Sequence, residues 1–482
     1  MERLNAWTTY DLDTQKACLS FAEEYRQFIS DNKTERECVD TFVNEAAKAG
    51  YVELCEAVKQ KKELKPGDKV YCAWMNKSIV LFQIGTEPME NGLNILGAHI
   101  DSPRMDVKQN PLYEKGGFGY LDTHYYGGIK KYQFVARPLA LHGVIVKKDG
   151  ETVVLSVGED EDDPVFFISD LLIHLAQDQM QKKASEVIEG EALDLIIGNK
   201  PIIIDAKTKP LTVQDKFDDE KKLAADAVKK ALLQLLEEKY GIKEDDFESA
   251  ELEVVPAGKA RDAGFDRSMI LGYGQDDRVC AYPSFRAQLA VEMPKRTSVT
   301  LLVDKEEIGS VGATGMQSHF FENALAEVMN LAGQYSELSL RRCLANSDML
   351  SSDVSSAFDP SWAQCFEEKN TAYLGRGMVF NKFTGSRGKS GSNDASAEYI
   401  AHLRAIFDQE GVITQTAELG KVDVGGGGTI AYILARYGMN VIDSGVPVLN
   451  MHAPSEATSK ADIYEAFKGY KAFLREASLR NE

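Results

Sequence analysis

Imidazoles and carboxylates recur along this chain in an order that suits two metal ions sharing one site. They are His99 and Asp101 in Gly-Ala-His-Ile-Asp-Ser-Pro, Asp276-Asp277, Glu306-Glu307, Asp353, and His452 in Asn-Met-His-Ala-Pro-Ser-Glu. Two carboxylate-rich positions with one imidazole each suit zinc, and a spare carboxylate beside them suits a base that activates water. The chemistry these types imply is metal-assisted hydrolysis.

Each pair has its own reason. In an extended segment the spacing of His99 and Asp101 points both side chains to one side, so Asp101 can hold the imidazole tautomer that leaves one nitrogen for a metal. Asp276-Asp277 follows Gly-Tyr-Gly-Gln in an expected turn. A carboxylate there can bridge two cations roughly 3.5–4 Å apart. Glu306-Glu307 follows the apolar run Ser298–Val303, and adjacent acids after a buried strand are costly without compensating positive charge. One of the two can ligate a metal while its neighbour takes a proton from water. Taken alone, Asp353 could cap a helix and His452 could be a satisfied core histidine.

The elements that must position these residues follow from periodicity. Residues 13–29 and 38–57 carry apolar side chains at helical spacing. Residues 70–74 and 78–84 read as a hairpin around Asn76, and 93–98 as a strand that ends at His99. Open α/β sheets bind ligands at such strand ends. From 105 to 255 the texture changes. Strands are expected at 134–138, 142–147 and Thr152–Val157, a solvated acidic loop at 159–163, helices at 165–177 and 217–240, and a polar loop at 182–194. After a strand at 251–255, strand–helix alternation returns, with strands at Ser298–Val303, 378–380, 413–417 and 441–444 and helices at 392–408 and 462–477. Such alternation implies a largely parallel sheet between helices. The chain thus divides into a discontinuous domain of residues 1–104 plus 256–482 and a second domain, 105–255, inserted between His99 and Asp276.

Composition narrows the class. At 482 residues the chain exceeds one ordinary core, in keeping with two domains. Its net charge of −20 argues against nucleic acid and anionic membranes as partners. The N-terminus lacks the basic start and apolar core of a signal peptide, and no run of about 18 apolar residues could span a bilayer. Seven scattered cysteines without a Cys-x-x-Cys pair favour reduced thiols in the cytoplasm.

Gly-Ala-His-Ile-Asp-Ser-Pro-Arg, Gln-Asp-Asp-Arg, Asp-Lys-Glu-Glu-Ile-Gly-Ser and Met-His-Ala-Pro-Ser-Glu, in this order from residue 97 to 456, resemble the motifs of the aspartyl aminopeptidase family of zinc metallopeptidases. Thr-Gly-Ser-Arg-Gly-Lys-Ser-Gly-Ser-Asn-Asp-Ala-Ser is similar to the bacterial members. The resemblance implies an α/β fold: a catalytic α/β/α sandwich with an inserted, mainly β dimerisation domain. It implies two zinc ions per subunit, for which manganese or cobalt can substitute. Asp276 would bridge them, with His99 and Asp353 completing one site and Glu307 and His452 the other. Glu306 would be the general base and Asp101 the residue that orients His99. A histidine of the inserted domain, here His174, would enter the neighbouring subunit's site and stabilise the oxyanion. Lys382, or Lys389 next to it, would grip an acidic substrate side chain. The glycine run 425–428, with Gly427 and Gly428, would let backbone amides approach the peptide.

The activity so implied is removal of single N-terminal residues from peptides, with dimers assembled into a tetrahedral dodecamer. One departure leaves a preference for N-terminal Asp or Glu open: Ser355-Ser356 and Asp359 stand where animal members carry histidines. The residues alone also admit an amidohydrolase acting on N-acyl amino acids, which shares the chemistry but needs no free amine. A non-catalytic scaffold would have no use for the full ligand set.

Overall fold

A computed structural model describes residues 4–201 and 226–478, which form two compact units, 1–102 with 259–482 and 103–258. In the first unit a nine-stranded sheet runs Val52–Glu53, Lys69–Trp74, Ser78–Gln83, Ser298–Val303, Asn94–His99, Asp348–Ser352, Asn440–Gly445, Met378–Asn381 and Thr414–Thr416. The central four strands are parallel, from Ser298–Val303 through Asn94–His99 and Asp348–Ser352 to Asn440–Gly445. Antiparallel neighbours flank them, so the sheet is mixed where the alternation predicted a largely parallel one.

Both faces of this sheet are buried. Leu96, Leu302, Leu350 and Ile442 face the core shared with Phe21, Phe42, Phe285, Tyr399 and Phe473 of five helices. Their chain neighbours Ile95, Leu301, Met349 and Val441 face the second core, with Leu325, Leu340 and Leu434. This period-two division explains why the strands read as continuous apolar runs. The result is the α/β/α sandwich. A second, five-stranded sheet orders Arg261–Ala263, Met269–Gly272, Glu456–Ser459, Pro447–Leu449 and Ser355–Ser356. Nothing in the sequence periodicity announced it.

A buried ion pair ties the N-terminal ends of the central strands. Arg296 Nη1 lies 2.6 Å from Asp348 Oδ2, and Asn440 Nδ2 donates to Asp348 Oδ1 at 2.9 Å. Removing one partner of such a pair leaves a costly buried charge. Asp348→Ala is therefore expected to destabilise this unit by about 3–5 kcal/mol, read as a lower denaturation midpoint.

The second unit holds a six-stranded antiparallel sheet, ordered Thr152–Val157, Leu139–Val146, Ala250–Pro256, Arg104–Lys115, Phe118–Tyr126 and Leu195–Gly198. The strand expected at 134–138 is not there; Pro138 lacks an amide to donate and Ala136 has φ 56°, so pairing begins at Leu139. The helix expected at 165–177 is absent too. Phe166 exchanges backbone hydrogen bonds with Leu139, and Phe167 accepts one from Ile196 N–H, so this segment is drawn out against two strands. Only Ile173–Leu175 turns, as a 3₁₀ helix. Helix Ala227–Tyr240 ends at left-handed Gly241; the rest of the helix expected from residue 217 lies outside the described residues. In the first unit the periodic stretch 38–57 is broken at Gly50, with φ 87°, into helices Glu35–Lys48 and Leu54–Lys59. The expected 392–408 helix starts at Ala397, because Ser396 caps it by accepting from Tyr399 N–H. No helix among the described residues is long and apolar enough to cross a membrane.

Candidate metal centre

The central parallel strands deliver the predicted ligands to one end of the sheet. His99 closes the strand Asn94–His99, and Asp353 follows Asp348–Ser352. Glu306 and Glu307 open a 3₁₀ turn after Ser298–Val303, entered through left-handed Lys305. Asp276 and Asp277 stand at the start of helix Gln275–Ala290 with non-helical dihedrals, not in an isolated turn. His452 sits in a loop of the small sheet with φ 64°.

Two groups of side chains result, each with its ligand atoms within 4.8 Å of one another: His99, Asp276 and Asp353, and Asp276, Glu307 and His452. Asp276 is common to both. Its Oδ1 lies 3.2 Å from His99 Nε2 and its Oδ2 3.1 Å from His452 Nε2, so each oxygen faces a different imidazole. Glu306 belongs to neither group, and its Oε2 is 4.0 Å from His99 Nε2. Asp353 is not a helix cap; its N–H joins Ser444 O at 3.0 Å, beyond the strand end.

Asp101 does more than its spacing suggested. It is fully buried, and its carboxylate is 3.3 Å from His99 Nδ1, while its backbone carbonyl is 3.0 Å from the same nitrogen. Its two oxygens also accept from Glu306 N–H and Glu307 N–H, each at 3.2 Å. One carboxylate thus fixes the orientation of His99 and the turn carrying both glutamates. Two further acids went unassigned in the sequence. Asp277 Oδ2 accepts from His99 N–H at 3.3 Å. Glu456 accepts backbone hydrogen bonds from Gln275, Asp276 and His452. Its position four residues after His452, inside the motif, was the signal available.

The donor set fits cations. Asp276 Oδ1 and Glu307 Oε1 are buried oxygens without a well-formed hydrogen bond. Burial pushes Asp277, Glu307 and Asp353 well above the usual carboxylate range, and it raises Glu306 to about 7. Glu456 is raised to about 8, by burial first and then by the Asp276 charge. Burial also acts on Asp276, but hydrogen bonds from His452 and His99 outweigh it and hold Asp276 below the usual range. For His99 the neighbouring Asp101 and Asp276 overcome desolvation and raise it. So much buried negative charge calls for positive charge at the positions the imidazoles and carboxylates surround.

A sign follows for the metal-free protein. Carboxylates and a histidine raised in the folded state bind more protons folded than unfolded, so stability falls as pH rises. The window runs from about 4, where unfolded carboxylates titrate, to about 8, the folded value for Glu456. Asp276 opposes this as one group against several. Metal-free protein is expected to melt lower at about pH 8 than at about pH 6, and zinc should reverse much of the loss in the same thermal scan.

Other predicted residues do not join this cluster. The Lys382 ammonium is bound to the Asp394 carboxylate and donates to Ala395 O at 2.8 Å. Lys389 shares Asp394 at 3.1 Å and lies 4.0 Å from the Phe383 ring centroid. In the glycine run, side chains are excluded at Gly425 and Gly426, where a Cβ would fall 1.8 Å from Leu419 O and 2.4 Å from Ser386 Cα. Gly427 and Gly428 have open space, and the Gly427 amide donates to Thr384 O at 3.0 Å. His174 lies in the second unit, exposed, with Leu171, Leu172, Ile173 and Leu175 exposed around it. Asp359, one of the departures from the animal pattern, caps a 3₁₀ helix through Ser361 N–H at 2.9 Å.

Comparison with known proteins agrees with this geometry. The family model described as Aminopeptidase I zinc metalloprotease (M18) matches residues 28–474. A probable M18 family aminopeptidase 1 of Clostridium acetobutylicum is 58% identical over 473 residues, covering 98% of both chains. The crystal structure of aminopeptidase I from Clostridium acetobutylicum matches with TM-score 0.87 and 56% identity, over 99% of this chain and 100% of that one. That of an M18 family aminopeptidase from Thermotoga maritima matches with TM-score 0.90 and 40% identity over the same shares. As its motifs implied, the chain belongs to the M18, or aspartyl aminopeptidase, family of zinc metallopeptidases.

Proposed function

We propose that this aminopeptidase works with two zinc ions per subunit, one held by His99, Asp353 and Asp276 and the other by Asp276, Glu307 and His452. The observation that carries this reading is Asp276, whose two oxygens face the two imidazoles from the middle of both ligand groups. Bound zinc would polarise the scissile carbonyl and make water a stronger nucleophile; manganese or cobalt would serve the same end. Glu306 then acts as the base. It takes the proton of the attacking water and passes it to the leaving amine, and burial suits it to both steps. Asp101 keeps the Glu306 backbone and the His99 ring in place while this happens.

Residues 103–258 are read as the dimerisation domain, through which His174 reaches a neighbour's site. Support comes from the exposed Leu171, Leu172, Ile173 and Leu175 around it, apolar surface that a second copy would cover. A yeast protein of this fold, 20% identical with TM-score 0.71, is described as a dodecamer, and we extend a tetrahedral dodecamer of dimers to this chain. His174→Ala should leave the assembly intact and cost roughly a hundredfold in turnover, the loss typical of one oxyanion donor. Sedimentation together with kinetics would check both halves. Seven unpaired cysteines favour a cytoplasmic setting.

Peptide substrates enter by their free amino end, with Gly427 and Gly428 beside them. A preference for Asp or Glu would need Lys382 to leave Asp394, so neutral N-terminal residues should be released faster than acidic ones. The test is a panel of acidic, neutral and basic aminoacyl-p-nitroanilides, with an N-acetyl amino acid as control, alongside zinc analysis. Release from free-amine substrates with two zinc ions per chain supports the reading. Hydrolysis of the N-acetyl compound alone, or one ion per chain, refutes it.

A further inference from the structure

We propose that Glu456 is a positioning residue that selectively sets the affinity of the ion held by Asp276, Glu307 and His452, an inference that rests on the two-ion reading above. Glu456 is not in either ligand group. It begins the strand Glu456–Ser459 and pairs in register with Gly272, three residues before Gln275. Its side chain is buried, the residue being 1% exposed.

Three backbone N–H groups from two ligand-bearing segments converge on this one carboxylate. Oε1 accepts from His452 at 2.8 Å, while Oε2 accepts from Gln275 at 2.6 Å and Asp276 at 3.3 Å. The two segments lie some 180 residues apart in sequence. Each needs the bond for a local reason. Gln275 and Asp276 open a helix, where amides have no intrahelical acceptor. His452 has φ 64°, a left-handed conformation that a non-glycine residue adopts at a cost. Where its imidazole points depends on that dihedral being held, and the Glu456 bond holds it.

The other ion is anchored differently, which makes the effect selective. His99 is fixed by its strand, by Asp101 and by Asp277. Asp353 is fixed through Ser444 O. Asp276, the shared ligand, keeps a second anchor in Ser102 Oγ, which donates to its carbonyl at 2.6 Å. Losing Glu456 therefore releases His452 most and the His99 group least.

The experiment titrates metal-free full-length protein with zinc against a chromophoric chelator, for wild type, Glu456→Gln, His452→Ala and the double variant. Glutamine keeps the size of the side chain but turns an amino group toward one set of donors. Glu456→Gln should weaken one of the two binding steps by roughly 10–100-fold, the range for lost outer partners of metal ligands. The other step should stay near its wild-type affinity. The weakened step should be the one that His452→Ala removes, and the double variant should bind no worse than His452→Ala alone. A purely structural role predicts instead that both steps fall together with the melting temperature. If the glutamine variant does not fold, Glu456→Asp, which keeps the charge but shortens the reach, must weaken the same step. Two unaltered steps, or two equally weakened, overturn the inference while leaving the two-ion reading intact. A wild-type protein that binds fewer than two ions overturns both.

Discussion

Glu306→Gln is expected to keep both ions and lose roughly a thousandfold in turnover, within the range that general acid–base catalysis supplies. The substitution is close to isosteric, and the Glu306 N–H bond to Asp101 survives it because only the side chain changes. Neither ligand group contains Glu306, so zinc content is expected to match wild type. What disappears is the proton acceptor. An amide cannot take a proton from water, and no second carboxylate outside the ligand groups has the same relation to His99 and Asp276. Steady-state kinetics with parallel zinc analysis separates the outcomes. Near-normal turnover would remove Glu306 from the mechanism, and lost zinc would make it a ligand instead of a base.

Asp276→Asn attacks the other side of the arrangement and is expected to strip both ions. A carboxylate offers two anionic oxygens, one toward each imidazole; an asparagine offers one neutral oxygen and an amino group that repels a cation. Each site loses a ligand, so each should weaken by more than the roughly 10–100-fold that follows loss of an outer partner. Turnover should vanish with the metal. Excess zinc should fail to restore it fully, because the refilled site would lack its shared bridge. Retention of one tightly bound ion would show that the two groups do not depend on Asp276 equally.

Much of this centre could be read from residue order. His99, Glu306 and Asp353 each follow an apolar run, and an apolar run long enough for one strand, buried on both faces, must end at a sheet edge. The hairpin around Asn76 and the strand Ser298–Val303 were legible for the same reason: period-two burial leaves a direct mark on composition. Segments whose conformation depends on distant partners were not. The stretch 165–177 has helical spacing, yet bonds from Leu139 and Ile196 draw it straight, and no local pattern could declare them. Lys382 looked available until Asp394, twelve residues on, was found to hold it.

By itself, then, the sequence determined which side chains could bind metal and take protons, and which parallel strands would carry most of them to one edge. Those properties are local, set by residue type and burial pattern. Only the tertiary structure decided that Asp276 stands between two imidazoles, that Asp101 serves both glutamates, and that Glu456 ties His452 to the start of a helix far away in sequence. The small sheet that makes the last contact pairs strands drawn from residues 261 to 459, and pairing over such separations is fixed by the closed fold, not by any window of residues.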